Sequence, residues 1–124
     1  VNEGAGRPRA GDAERTARAQ QLCAAHLAEP GQPRPTFSVA WSNRQQQRWG
    51  SCTTATGEIR LSERLRVMPD WVADYVLMHE LSHLLERTHT ARFHTLVARY
   101  PHSERAQGFL EGWQAALNRP SLEC

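Results

Sequence analysis

A histidine-glutamate motif of the HExxH type interrupts the longest apolar stretch of this 124-residue chain. Pro69 suits the first turn of a helix that runs to about Leu85, so the motif residues His79, Glu80 and His83 are expected in mid-helix. At 100° per residue, the two imidazoles lie about 40° apart and the glutamate lies about 60° beyond the second one. All three side chains therefore share one face. The opposite face carries Leu77, Met78, Leu81 and Leu85, which we expect in the core.

Two neutral imidazoles one helical turn apart are half of a metal site. His79 and His83 can each reach a zinc ion at about 2.0 to 2.1 Å, while Glu80, slightly offset, can contact a water molecule beside the ion. Burying two histidines and a glutamate in apolar surroundings is costly unless they are paired or bind a metal. A chance pair on the surface or in the core is the alternative, and the apolar helical context favours zinc.

A catalytic zinc needs a third protein ligand and an open fourth position. His89 is the first candidate, because it stands six residues after His83, beyond the helix end, where a turn can fold it back. The metzincin pattern has the same spacing, but the glycine expected within it is absent here. Glu104 is the acidic alternative, and His94 and His102 are weaker candidates.

Length and composition limit the classes of protein to which this chain can belong. A length of 124 residues with 40% hydrophobic residues and four Trp predicts one globular domain over residues 12–124, after a flexible Gly-rich leader over residues 1–11. No apolar run is long enough to span a membrane, and no secretory signal is visible. The three cysteines, Cys23, Cys52 and Cys124, include no CxxC pair, which favours free thiols and a cytoplasmic location. The net charge of +2 gives no support for nucleic-acid binding.

The pattern of apolar residues and turn signals predicts an α+β fold. Asp12 is the expected N-cap of a first helix over residues 12–27, followed by a strand over residues 37–41. A hairpin turning at Gly57 comes next, then the motif helix, a helix capped by Thr90 and reaching residue 100, and a last helix over residues 103–117. We expect a small antiparallel sheet packed on helices, with the HExxH helix in the centre.

The segment Arg48-Trp49-Gly50-Ser51-Cys52 has two interpretations. Trp49 and Cys52 can be packing residues of a strand in which Gly50 allows a close backbone approach. Alternatively, Trp49, Gly50 and Ser51 lie on an edge strand above the cleft, where an extended peptide can pair with exposed backbone groups.

Several blocks of the sequence occur together in the order typical of one protein family. They are the RWGSC segment at 48–52, the hairpin positions Gly57, Ile59 and Leu61, the HELSH segment within 76–84, and His89 to Phe93. In these blocks the chain resembles the YgjP-like metallopeptidases, relatives of the SprT-like zinc proteases. The resemblance covers residues 12–117. Thr88, Thr90 and His94 replace the residues of the family pattern, which predicts a more polar wall beside the metal.

The resemblance implies a zincin-like fold, with zinc held by His79, His83 and His89 and with Glu80 as general base. The predicted function is a zinc-dependent metallohydrolase, a peptidase acting on a peptide or protein substrate. Arg48, His94 and Tyr100 are candidates for stabilising the oxyanion. Two alternatives remain: a non-catalytic interaction module that zinc stabilises, and a SprT-like protease acting on nucleic-acid-associated protein.

Overall fold

Four α-helices and a three-stranded sheet make up the part of the chain that the computed structural model describes, residues 11–45 and 47–118. The leader predicted over 1–11 lies outside the described residues except for Gly11, and Cys124 lies outside them too. The helices are α1 (Asp12–Leu22), α2 (Asp70–Leu85), α3 (Ala91–Ala98) and α4 (Ser103–Asn118), and the strands are β1 (Ser38–Ser42), β2 (Gly50–Thr53) and β3 (Glu58–Ser62). A π-helical turn, Cys23–Leu27, extends α1, and a 3₁₀ turn, Glu63–Val67, precedes α2.

The α+β class is confirmed, but the sheet is mixed rather than wholly antiparallel. Its order is β1-β3-β2, with β2 antiparallel to β3 through the predicted hairpin and β1 parallel to β3. The chain reverses direction between consecutive strands, as short connections require. However, β3 lies between β1 and β2 in the sheet. Strand β1 therefore pairs with β3 and not with β2, the strand that follows it in the sequence. Sequence alternation indicates where strands lie and does not say which strands are neighbours.

Gly57 makes the hairpin possible. Its φ of 73° lies in the left-handed region, and a Cβ at this position would lie 2.2 Å from the carbonyl oxygen of Thr36. The prediction that Gly57 supplies the left-handed residue of the turn is therefore confirmed. Asp12, in contrast, is the first residue of α1 and not its N-cap, which is Gly11. The Asp12 carboxylate instead accepts a hydrogen bond from the backbone nitrogen of Trp41 at 2.9 Å, which joins α1 to β1.

Helix α2 lies at the centre of the fold, in contact with α1, α3, α4, β2 and β3. Its predicted core residues Leu77, Met78 and Leu81 are fully buried, and Leu85 is half-buried. No helix within the described residues is long and apolar enough to cross a membrane.

A buried ion pair fixes α2 to α1. The Asp74 carboxylate is 4% exposed and accepts hydrogen bonds from Nε and Nη2 of Arg18 at 3.2 and 2.8 Å. Arg15 approaches the same carboxylate at 3.6 Å, and the Tyr100 hydroxyl donates to it at 3.4 Å. Two cations and a hydroxyl thus compensate one buried charge, which orients α2 before any contact with a ligand.

Candidate metal centre

Three histidines converge where α2 ends and the chain turns towards α3. His79 and His83 lie one turn apart on α2, and His89 folds back from the connection that follows it. One ring nitrogen of each histidine lies within 4.8 Å of the others, and the Nε2 atoms of His83 and His89 are 3.2 Å apart. Of the sequence candidates, these are the three histidines that the fold brings together.

Thr90 holds the turn that carries His89. As predicted, its side chain caps α3 by accepting a hydrogen bond from the backbone nitrogen of Phe93 at 3.2 Å. The same hydroxyl donates to Oε2 of Glu86 at 3.0 Å, so the start of α3 is fastened to the end of α2. The Phe93 ring packs against all three imidazoles, with centroid distances of 4.4 to 4.9 Å. The protein alone therefore brings the three rings together.

A backbone hydrogen bond decides which nitrogen of His83 faces the other rings. Its Nδ1 lies 3.0 Å from the carbonyl oxygen of Arg87. Because a carbonyl oxygen can only accept, Nδ1 carries the proton and the lone pair is left on Nε2, the atom that faces His89. This is the arrangement of a metal-binding histidine.

Burial keeps the α2 imidazoles neutral at neutral pH. Burial, together with the positive charges that the neighbouring imidazoles would carry, lowers the pKa of His79 to about 4. Burial also lowers the pKa of His83, although its bond to the Arg87 carbonyl acts in the opposite direction. Neutral imidazole is the form that binds a metal ion, so both side chains are ready to act as ligands at pH 7.

Glu80 lies beside the histidines and has no hydrogen-bond or ion-pair partner among the residues that the structure describes. It is 6% exposed. Burial raises its pKa to about 7, and the positive charge of Arg48 opposes that shift. The backbone of Gly50 packs directly over it: a Cβ on Gly50 would lie 3.3 Å from Oε2 of Glu80 and 2.9 Å from Cγ1 of Val76. The close approach expected at Gly50 is therefore real.

These residues form the floor of a cleft of about 720 Å³. Strand β2 is an edge of the sheet, and Trp49, Gly50 and Ser51 line the cleft on that side. Trp49 is half-buried beneath the guanidinium of Arg64, which lies 4.0 Å from its ring centroid and donates a hydrogen bond to the carbonyl oxygen of Arg48. The residues predicted to bind substrate thus lie beside the histidines.

Comparison with known proteins decides the family. A family model described as the YgjP-like metallopeptidase domain matches residues 14–111. The chain belongs to the YgjP-like metallopeptidases. The resemblance seen in the sequence blocks is thus confirmed, and with it a peptidase that uses a divalent metal.

A solved structure agrees with this zincin-type fold. The crystal structure of the metallopeptidase zymogen of Pyrococcus abyssi abylysin superposes with a TM-score of 0.63, covering 86% of the YgjP-like chain and 97% of the other, at 19% sequence identity. At that identity the likeness concerns the fold alone. No curated protein sequence matches the chain.

The other sequence candidates for metal ligands are not part of the cluster of three histidines in the YgjP-like domain. Glu104 is exposed on α4, and His102 packs against Trp71 and Tyr100 instead. His94 stacks on His89 at a centroid distance of 6.2 Å but is not one of the three clustered ligands. Of the candidates for the oxyanion, Arg48 lines the cleft, whereas His94 and Tyr100 do not.

Sequence reasoning missed the wall that α4 gives to the cleft. Its lining residues there are Gln107, Leu110, Glu111 and Gln114, and α2 adds Tyr75. The spacing of the three polar side chains, at i, i+4 and i+7, marks one face of a helix and was the available signal. Nothing in the sequence says that this face is turned towards the histidines.

Proposed function

We propose that this chain is a zinc-dependent peptidase in which His79, His83 and His89 hold the zinc ion and Glu80 is the general base. One observation carries the proposal: three imidazole nitrogens converge beside a buried carboxylate that has no compensating partner among the described residues, at the floor of an open cleft. Perturbed titratable groups gathered in a cleft are typical of a catalytic site.

The donor set fits zinc. Two nitrogens bound to one tetrahedral zinc at about 2.0 to 2.1 Å lie roughly 3.3 Å apart, and the Nε2 atoms of His83 and His89 are separated by 3.2 Å. Three imidazole ligands leave a fourth position open, as catalytic zinc sites do. When bound, zinc supplies Lewis-acid chemistry: it polarises the scissile carbonyl and makes a water molecule acidic near neutral pH.

Glu80 moves the proton in this proposal. Its carboxylate takes a proton from the attacking water and delivers it to the nitrogen of the leaving amine, so the peptide bond breaks with no net change in the protonation of the enzyme. Burial raises the pKa of Glu80, which favours its protonated form and helps the carboxylate to take up the proton. In this proposal Arg48, which lines the cleft and whose positive charge acts on Glu80, steadies the developing oxyanion.

The edge strand supplies the substrate contact. An extended peptide can add to the free edge of β2, with Trp49, Gly50 and Ser51 along its length. This favours a peptide or protein substrate in an extended conformation. Action on nucleic-acid-associated protein receives no support from the charge of the chain, and a cytoplasmic location stays a prediction from cysteine usage.

The test combines metal content with proteolysis. We expect close to one zinc per chain by elemental analysis, and cleavage of casein or a denatured-protein peptide mixture that chelation removes and zinc restores. The Glu80→Gln variant should keep its fold and its zinc while hydrolysis falls by at least about a hundredfold, since the amide cannot accept the proton.

A wild-type protein that binds zinc and cleaves the same substrate no faster than Glu80→Gln would contradict the proposal. In that case the non-catalytic, zinc-stabilised interaction module is the better account.

A further inference from the structure

One wall of the cleft carries an uncompensated negative charge. Glu111 projects from α4 between Gln107 and Gln114, and it forms no ion pair with any described residue. It lies close to Tyr75, whose pKa is raised by burial and by the Glu111 charge. Tyr75 is one turn before His79 on α2, so the negative charge lies on the side of the histidines nearer the start of α2.

The opposite end of the cleft is positive. Arg87 lines the cleft just beyond the end of α2. Its guanidinium forms no ion pair within the described part of the chain. In contrast, Arg18, Arg92 and Arg99 are all paired with carboxylates elsewhere in the fold.

The separation of the two ends corresponds to a short peptide. Ten residues of α2 separate Tyr75 from Leu85, which is about 15 Å along the helix axis. An extended chain rises about 3.3 Å per residue, so roughly four or five substrate residues span this distance. His79 and Glu80 lie between the ends, so the two charged regions flank the bond to be cleaved.

We propose that this cleft recognises extended peptides by the order of their charges, with a cationic side chain towards Glu111 and an anionic side chain towards Arg87. The proposal rests on the proposed peptidase function in one respect only: if the protein is a peptidase, the charge preference determines which bond is cleaved. Recognition itself depends on Glu111 and Arg87. A peptide with the opposite order of charges meets a like charge at both ends of the cleft, which disfavours its binding.

The expected preference is moderate, because both side chains are exposed. At an exposed site, changing an attraction into a repulsion alters affinity by roughly two- to fivefold. The two ends together therefore give a preference of about tenfold between the two charge orders.

The experiment compares two dye-labelled peptides of identical composition. Each is capped at both termini and has an uncharged five-residue centre, with two Lys at one end and two Glu at the other, in the two possible orders. Binding to the zinc-loaded Glu80→Gln protein is measured by fluorescence anisotropy. We expect one order to bind about tenfold more tightly, Glu111→Gln to reduce the ratio to about threefold, and Glu111→Arg to bring it close to one.

Glu104→Gln is the matched control, because it makes the same change of charge on the same helix at a residue that does not line the cleft. It should leave the tenfold ratio unchanged. Equal affinity for the two orders, no binding of either at 1 mM, or an equal effect of Glu104→Gln would overturn the proposal. If the preference holds and zinc-loaded wild-type protein cleaves neither peptide nor any other substrate, recognition stands and the proposed peptidase function fails.

Discussion

Helix α2 carries two buried carboxylates that have opposite surroundings. Asp74 and Glu80 are similarly hidden from solvent, at 4% and 6% exposure. Asp74 is held by Arg18 and Arg15 and by the Tyr100 hydroxyl. Glu80 lies against Val76 and the backbone of Gly50, opens into the cleft, and has no such partner among the described residues.

The difference shows what a buried charge does when it is compensated and when it is not. A paired buried carboxylate positions the elements that it joins, and removing its partner is strongly destabilising. An unpaired one is costly in the folded state and has a raised pKa, so it persists where chemistry requires it. Two turns of one helix thus separate a structural region around Asp74 from a chemical region around Glu80.

The largest effect should come from the histidines around Glu80. His79→Ala or His83→Ala should abolish stoichiometric zinc binding, and His89→Ala should lower zinc affinity by at least about a hundredfold, since each removes a direct ligand. Competition with a chromophoric chelator measures this loss. Glu104→Ala is the matched control and should leave affinity nearly unchanged. The reverse result for Glu104 and His89 would move the third ligand to α4.

The same chemical change at both carboxylates sharpens the contrast. Asp74→Asn should lower the free energy of unfolding of the metal-free protein by about 3 kcal/mol, because it leaves the Arg18 guanidinium without its counter-charge. Glu80→Gln should change it by less than about 0.5 kcal/mol, or raise it, since no described partner is lost. Urea denaturation with chelator present measures both. Equal losses at the two sites would show that the two carboxylates are not distinct in role.

The smallest effect concerns two tyrosines. Tyr100→Phe removes the hydroxyl that donates to Asp74 at 3.4 Å, and should cost about 1 kcal/mol of stability. Tyr75→Phe should cost less than about 0.3 kcal/mol, because the Tyr75 hydroxyl, at the cleft, makes no hydrogen bond with the described residues. Thermal unfolding of the two variants side by side measures the difference. A larger loss of stability in Tyr75→Phe than in Tyr100→Phe would show that the side of α2 facing the cleft contributes more to stability than the side facing Asp74.

The elements could be predicted well where local signals are strong. Pro69 and the apolar run predict a helix to residue 85, and α2 spans Asp70–Leu85. Thr90 caps α3, as expected from its capping chemistry. Helix α4 begins at Ser103, as expected, but the Ser103 hydroxyl donates to the carbonyl oxygen of Val97. Prediction was weaker at helix ends: the first helix, expected over 12–27, changes to a π-helical turn after Leu22, and α3 ends at Ala98 instead of residue 100.

Predictions failed where the partner is distant in sequence. Arg18 and Asp74 are 56 residues apart, and the hydroxyl of Thr16 bonds to the backbone of β1 across 23 residues. Asp74 lies within the apolar run of α2, but no local pattern identifies its cation. The pairing of β1 with β3 was missed for the same reason.

By itself, the sequence determined the motif helix, the Thr90 cap of α3, the hairpin turn at Gly57 and the shared face of His79, Glu80 and His83. Each of these depends on residues within about one helical turn or one tight turn of each other, so backbone geometry suffices. The tertiary structure decided that β1 lies beside β3, that Asp74 meets Arg18, and that α4 brings Glu111 to the cleft. Those contacts join distant segments whose choice of neighbour depends on how the whole core packs, which no local spacing encodes.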